Sequence, residues 1–120
     1  MKEIKAIIRP FKLLEVIEAL QQIEGLPGVT ISDIKGFGKG RAKNAEDKIS
    51  YETIDFIPRV KLELVVNDNI AEEVVDVIQI HSHTGNTGDG KIFIINVDNA
   101  VKIRTNERGS GAIWNDKIKI

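Results

Sequence analysis

The run RVKLELVVNDNIAEEVVDVIQIHS, residues 59 to 82, constrains the fold most, because its hydrophobic period changes once and sharply. Val60, Leu62, Leu64 and Val66 alternate with Lys61 and Glu63, the two-residue period of a strand with one buried face. From Ile70 onward the period lengthens, and Ile70, Val74, Val77, Ile78 and His81 form one stripe of a helix. Asn69 with Glu72 three residues later reads as a capping box, and Gly85 can end the helix in a left-handed conformation. KIFIINV, from Lys91, then reads as another strand.

The first part of the chain repeats this design. KEIKAII, residues 2 to 8, partly alternates and reads as a strand; Pro10 suits a first helical turn, and Leu13, Val16, Ile17, Leu20 and Ile23 recur at helical spacing. Gly25 and the GLPG stretch stop that helix, and VTISDIKGF resumes alternation up to the glycines at 36, 38 and 40. The predicted class is α+β, a ferredoxin-like βαββαβ domain over residues 1–112, with a long loop at about 39–55 between the second and third strands and a tail at 113–120. Two helices cover one face of such a sheet. An uncovered apolar face would be a large exposed patch, so burial against other copies of the chain, a homo-oligomer, is expected. Segment 39–55 is densely charged, lacks a sustained period and has few large apolar groups, which marks it as a long loop of functional interest.

Charge and composition exclude several function classes. Seventeen basic against eighteen acidic residues give a net charge of -1, which offers no general attraction to nucleic acid or to an anionic membrane. No cysteine is present, so disulfides, thiolate metal sites and cysteine nucleophiles are ruled out. Charges interrupt the first nine residues and no apolar run is long enough to span a bilayer, so the expected location is cytoplasmic. His81 and His83 sit at i, i+2 at a helix end, where their rings point apart; no metal site is predicted.

GNTGDGK, residues 85 to 91, has the spacing of a nucleotide-hydrolase phosphate loop. Ile92 stands where Ser or Thr would hold magnesium, however, and a strand follows where that loop opens a helix. Glycines at 85, 88 and 90 let backbone N–H groups approach phosphate, with Lys91 adding a charge, so binding without hydrolysis is favoured and the chain is not expected to be an enzyme. A small nucleotide hydrolase or transferase using this segment is the alternative.

MKEIKAIIRPFKL, the GFGKG turn, DFIPRVKLELVV, TGNTGDGKIFI and KIRTNERG occur in an order and spacing that resemble the PII signal-transduction family, of the nitrogen regulatory type. The resemblance covers residues 1 to about 112 and implies a homotrimer with adenine-nucleotide sites in the clefts between subunits. It also implies a mobile loop, here 39–55, that docks on a regulated protein such as a membrane transporter or an enzyme of nitrogen metabolism. Carried over position by position, the site for ATP or ADP, or AMP, comprises Ile7, Thr30, Gly36, Phe37, Gly38, Lys39, Glu63, Val65, Gly88, Asp89, Gly90 and Lys91. Lys102 and Arg104 would reach in across the subunit boundary, Lys102 standing where arginine is usual. Typical members also bind 2-oxoglutarate through magnesium, closed by a glutamine where this chain has Gly40; without a side-chain oxygen there, that assembly is expected to be weak or absent. Arg59 matches the lysine that pairs with the oxoglutarate carboxylate. Tyr51 falls one residue before the tyrosine that some relatives carry for uridylylation, and Ser50 lies where others carry a modifiable serine.

Overall fold

The structure, a computed structural model, describes residues 1–38 and 55–115. Its elements are β1 (Lys2–Ile8), a 3-10 turn (Pro10–Lys12), α1 (Leu13–Leu20), β2 (Thr30–Gly36), β3 (Ile57–Val66), α2 (Asp68–Ser82), β4 (Lys91–Asn96) and a short α3 (Ser110–Ile113). The strands form one sheet in the order β2-β3-β1-β4, each neighbouring pair antiparallel. This is the ferredoxin-like arrangement, with the two βαβ halves interleaved so that β1 and β3 take the centre.

Alternation explains which side is buried. Ile4, Ala6 and Ile8 of β1 and Val60, Leu62, Leu64 and Val66 of β3 pack with Val16 and Leu20 of α1 and Val74 and Ile78 of α2 into one core. Burying each of the large aliphatics stabilises the fold by about 1.5–3 kcal/mol. β3 starts two residues before the alternation suggests. Pro58 pairs with Lys35 of β2 where β1 has already ended, since pairing with β1 begins at Val60 opposite Ile8. With a neighbour on one side only, the missing N–H of proline breaks no rung.

Three local expectations are corrected. α2 starts at Asp68 with Asn67 as N-cap and no capping side-chain bond, so Asn69 is already helical and its box with Glu72 does not form. The first turn instead carries an exposed ion pair: the Met1 amino group lies 2.9 Å from Asp68 Oδ1 and Lys2 Nζ lies 3.7 Å away. That amine, with Lys2 behind it, keeps the Asp68 carboxyl below its ordinary range. At the other end α2 stops at Ser82, and Gly85, with φ 91°, belongs to the following loop rather than to the helix cap. Finally, the tail expected from residue 113 starts inside the domain. Trp114 and Ile70 side chains both lie within 4.0 Å of the point where Gly25 would carry a β-carbon, and Asn67 Nδ2 donates to Ser110 O at 3.3 Å.

The uncovered face also differs from expectation. By register it carries Glu3, Lys5 and Ile7 of β1, Thr30, Ser32 and Ile34 of β2, Arg59, Lys61, Glu63 and Val65 of β3, and Lys91, Phe93 and Ile95 of β4. It is half charged, with Lys61 Nζ 3.4 Å from Glu63 Oε1. Its large exposed apolar groups, Phe93 and Ile95, sit together on the edge strand β4. The continuous apolar patch assumed from the sequence is therefore not there, and burial of such a patch cannot by itself require an oligomer. Among the described residues no helix is long and apolar enough to cross a membrane.

Candidate functional site

Two hollows open on the uncovered side of the sheet. The larger, about 1100 Å³, is formed where the end of β2 and the start of β4 flank the end of β1: Ile7, Gly36, Phe37, Gly38, Gly88, Asp89, Gly90 and Lys91 line it, with Arg9 and Arg59. The smaller, about 410 Å³, lies at the opposite end of β3 and is lined by Thr30, Glu63 and Val65 together with Glu3 and the turn at Pro27 and Gly28. Together the hollows contain every described residue that the sequence assigned to the nucleotide, except two. Lys102 and Arg104 stand apart on a tight turn, in which Lys102 N donates to Glu107 O at 2.8 Å and Asn106 N to Lys102 O at 2.7 Å. Lys39, Gly40, Ser50, Tyr51 and the segment 116–120 lie outside the described residues.

The loop between α2 and β4 owes its shape to one carboxylate. Asp89 accepts from the Thr84 N–H at 2.8 Å, the Gly85 N–H at 2.8 Å, the Thr84 hydroxyl, and Arg9 Nε at 3.0 Å. The Thr84 hydroxyl and N–H bonds do most to hold the Asp89 carboxyl far below the usual range, against some desolvation, with Arg9 and Gly85 adding to them. Its carboxylate is thus engaged within the loop. The Gly85 N–H is engaged with it, so the close approach to phosphate expected of three glycines rests on Gly88 and Gly90.

Both positions hold a left-handed backbone that strains any side chain, and at Gly90 there is no room for one. A β-carbon on Gly90, where φ is 104°, would sit 1.7 Å from the Ile7 carbonyl oxygen, because the loop presses directly on β1. On Gly88, with φ 100°, it would meet Arg59 Nη2 at 3.1 Å and Arg9 Nη2 at 3.2 Å. Lys91 opens β4 directly, opposite Ile7. The loop therefore leads into a strand and brings no helix N-terminus to the groove, which separates it from the hydrolase-type phosphate loop.

Arg9 is the residue that the sequence reading missed. Its position was readable in principle: β1 and β4 pair with Ile7 opposite Lys91, and continuing that register by two residues brings Arg9 to Asp89. A cation and an anion on the strand extensions were the signal. Arg59 Nη1 donates to the Pro58 carbonyl at 2.9 Å; among the described residues Lys91 has no ion-pair partner. The groove thus gathers three cations, Arg9, Arg59 and Lys91, around one carboxylate that is already engaged within the loop, an arrangement whose charge suits a polyanion.

Residues 1–107 match the family model of the nitrogen regulatory protein P-II. The chain belongs to the nitrogen regulatory protein P-II family. It is 46% identical over 113 residues to the nitrogen regulatory protein P-II of Bradyrhizobium diazoefficiens, covering 94% of this chain and 100% of the relative. It is 47% identical to the nitrogen regulatory protein P-II of Rhodospirillum rubrum and 43% identical to P-II 1 of Escherichia coli K12, each over the same shares of the two chains. The family is one of signal-transduction regulators, and the relatives are named as regulatory proteins.

Proposed function

We propose that the chain is a P-II regulator that binds ATP and ADP at the groove built from the GFG end of β2 and the loop 84–91, and passes the bound state to a partner through segment 39–55. One observation carries the reading: the described residues matched to the nucleotide site, Lys102 and Arg104 apart, come from four separate stretches of sequence and all line one of two hollows on one face of the sheet. Thr30, Glu63 and Val65 line the hollow suited to base and ribose, and Gly88 to Lys91 line the separate hollow suited to phosphates. No bond to the ligand needs to break for such a switch to work; ATP and ADP need only favour different states of the chain. Gly36, Phe37 and Gly38 both line the groove and lead directly into residue 39, which supports coupling between ligand and loop.

A homotrimer completes the site. Lys102 and Arg104 lie outside the groove of their own chain, and the turn that carries them exposes Ile103 fully and Val101 by 47%. A cationic turn with bare aliphatic side chains suits insertion beside the groove of a neighbouring copy. The partner is a regulated protein of nitrogen metabolism or transport, met in a cytoplasmic setting. Magnesium with 2-oxoglutarate is given a lesser part, since Gly40 has no side-chain ligand, although Arg59 stands ready for a carboxylate. Calorimetric titration with ATP, ADP, AMP and adenosine tests the reading. Micromolar ATP binding is expected, and Lys91→Ala should weaken ATP by roughly tenfold or more while sparing adenosine. Absence of adenine-nucleotide binding, or a monomer mass by light scattering in its presence, would overturn it.

A further inference from the structure

We infer that Arg9 and Asp89 are a positioning pair, holding the 84–89 loop in its binding shape before any anion arrives, and that the direct phosphate contacts fall to other cations of the groove. The inference rests on the nucleotide reading above and deepens it. Asp89 gathers three donors from the start of the loop and one from Arg9. Arg9 in turn bridges two points of the loop, donating through Nε to Asp89 Oδ1 at 3.0 Å and through Nη2 to Thr87 O at 2.7 Å. Both side chains are about four-fifths covered, at 21% and 22% exposure. Arg9 directly follows β1 by one residue, so the loop is pinned to a central strand of the sheet and not merely to itself.

The other cations are held differently. Among the described residues Arg59 bonds the carbonyl of the residue before it and no carboxylate, and Lys91 stands exposed at the head of β4. The groove thus divides its charges between a tied arginine that shapes the loop and two cations placed to meet the ligand. Had Asp89 been absent, the Thr84 and Gly85 N–H groups and Arg9 would have to be ordered at the moment of binding, and that ordering is subtracted from affinity.

The test uses the full chain and the variants Arg9→Ala, Arg9→Lys, Asp89→Asn and the double variant Arg9→Ala/Asp89→Asn, each titrated with ATP and with adenosine. Each single change should weaken ATP about tenfold and leave adenosine unchanged. The double variant should be no weaker than the worse single one, because each residue acts through the other. Arg9→Lys should behave as Arg9→Ala, since an ammonium cannot span Asp89 and the Thr87 carbonyl at once. In ligand-free protein, amide exchange at Thr84 and Gly85 should speed up in Asp89→Asn while core amides stay protected. Multiplying losses in the double variant would make Arg9 an independent phosphate ligand and sink the inference, as would full activity of Arg9→Lys or unchanged amide exchange. Equal losses for adenosine and ATP would reduce the pair to general fold stability. If wild-type protein bound no adenine nucleotide, the functional reading would fail, while the exchange measurement would still judge the pair.

Discussion

The two faces of the sheet come from the same strands by the same alternation, yet they are built for different purposes. On the helix side, β1 and β3 present Ile4, Ala6, Ile8, Val60, Leu62, Leu64 and Val66, all buried. One residue along, the same strands present Lys5, Ile7, Arg59, Lys61, Glu63 and Val65 to the uncovered side. The first set fixes the fold and leaves nothing free to bind. The second set stabilises this chain little, and it lends Ile7 and Arg59 to the groove and Glu63 and Val65 to the smaller hollow. A one-residue shift in register would exchange the sets, so the pairing of β1 with β3 determines fold and site together.

The sharpest way to break this comparison is to truncate one residue from each face. Leu62 is fully buried, so Leu62→Ala should cost about 2–5 kcal/mol through lost transfer energy and the cavity left behind. Its neighbour on the strand, Lys61, makes only a partly exposed pair with Glu63, and Lys61→Ala should change stability by no more than about 1 kcal/mol. Thermal and denaturant unfolding would read both. Comparable losses at the two positions would mean that the uncovered face contributes to stability as the core does, which would contradict the division drawn here.

Gly90 lies at the border between the two roles, and a change there should have the next largest effect. An alanine at φ 104° with its β-carbon 1.7 Å from the Ile7 carbonyl must push the loop off β1. Strain alone costs about 1–3 kcal/mol. ATP affinity should fall together with stability in Gly90→Ala, whereas in Leu62→Ala stability alone should fall under conditions where the variant stays folded. A Gly90→Ala protein that binds ATP normally would show that the close approach of loop and strand is not needed by the site.

The sequence revealed the faces better than the ends of elements. Alternation and stripes gave β1, β3, β4 and the two main helices, because each signal is local and repeats several times within its element. What failed was set by single contacts across the chain. The first turn of α2 carries an ion pair from Met1 and Lys2 to Asp68, from the far end of the sequence, in place of a local cap, and no rule about neighbouring residues shows such a contact. Arg9 escaped notice for the same reason, being eighty positions from Asp89. Asp89 was recognised as part of the site, but spacing cannot tell a carboxylate that faces a ligand from one that shapes a loop. An apolar uncovered face follows from the overall fold alone, whereas the alternation of β3 itself puts Lys61 and Glu63 on that face, opposite the core positions.

The smallest expected effect concerns polar contacts on the helix layer, away from both faces. Glu15 of α1 and His81 of α2 meet at 2.9 Å, and the His81 hydrogen bond, with help from the charge of Lys12, holds the Glu15 carboxyl below its ordinary value. A carboxyl whose folded value is depressed contributes stability above its unfolded value of about 4.3, and loses that contribution as pH falls through the folded value. Thermal unfolding of Glu15→Gln should therefore run slightly below wild type at pH 6 and converge with it as pH falls through the depressed folded value of Glu15. Because the pair is exposed, added salt should shrink the pH 6 difference. ATP titration of the same variant should match wild type at every pH where both are folded. A change in nucleotide affinity there would show that the contact between α1 and the end of α2 reaches the loop at 84, and the helix layer would then have to be counted with the site and not only with the fold.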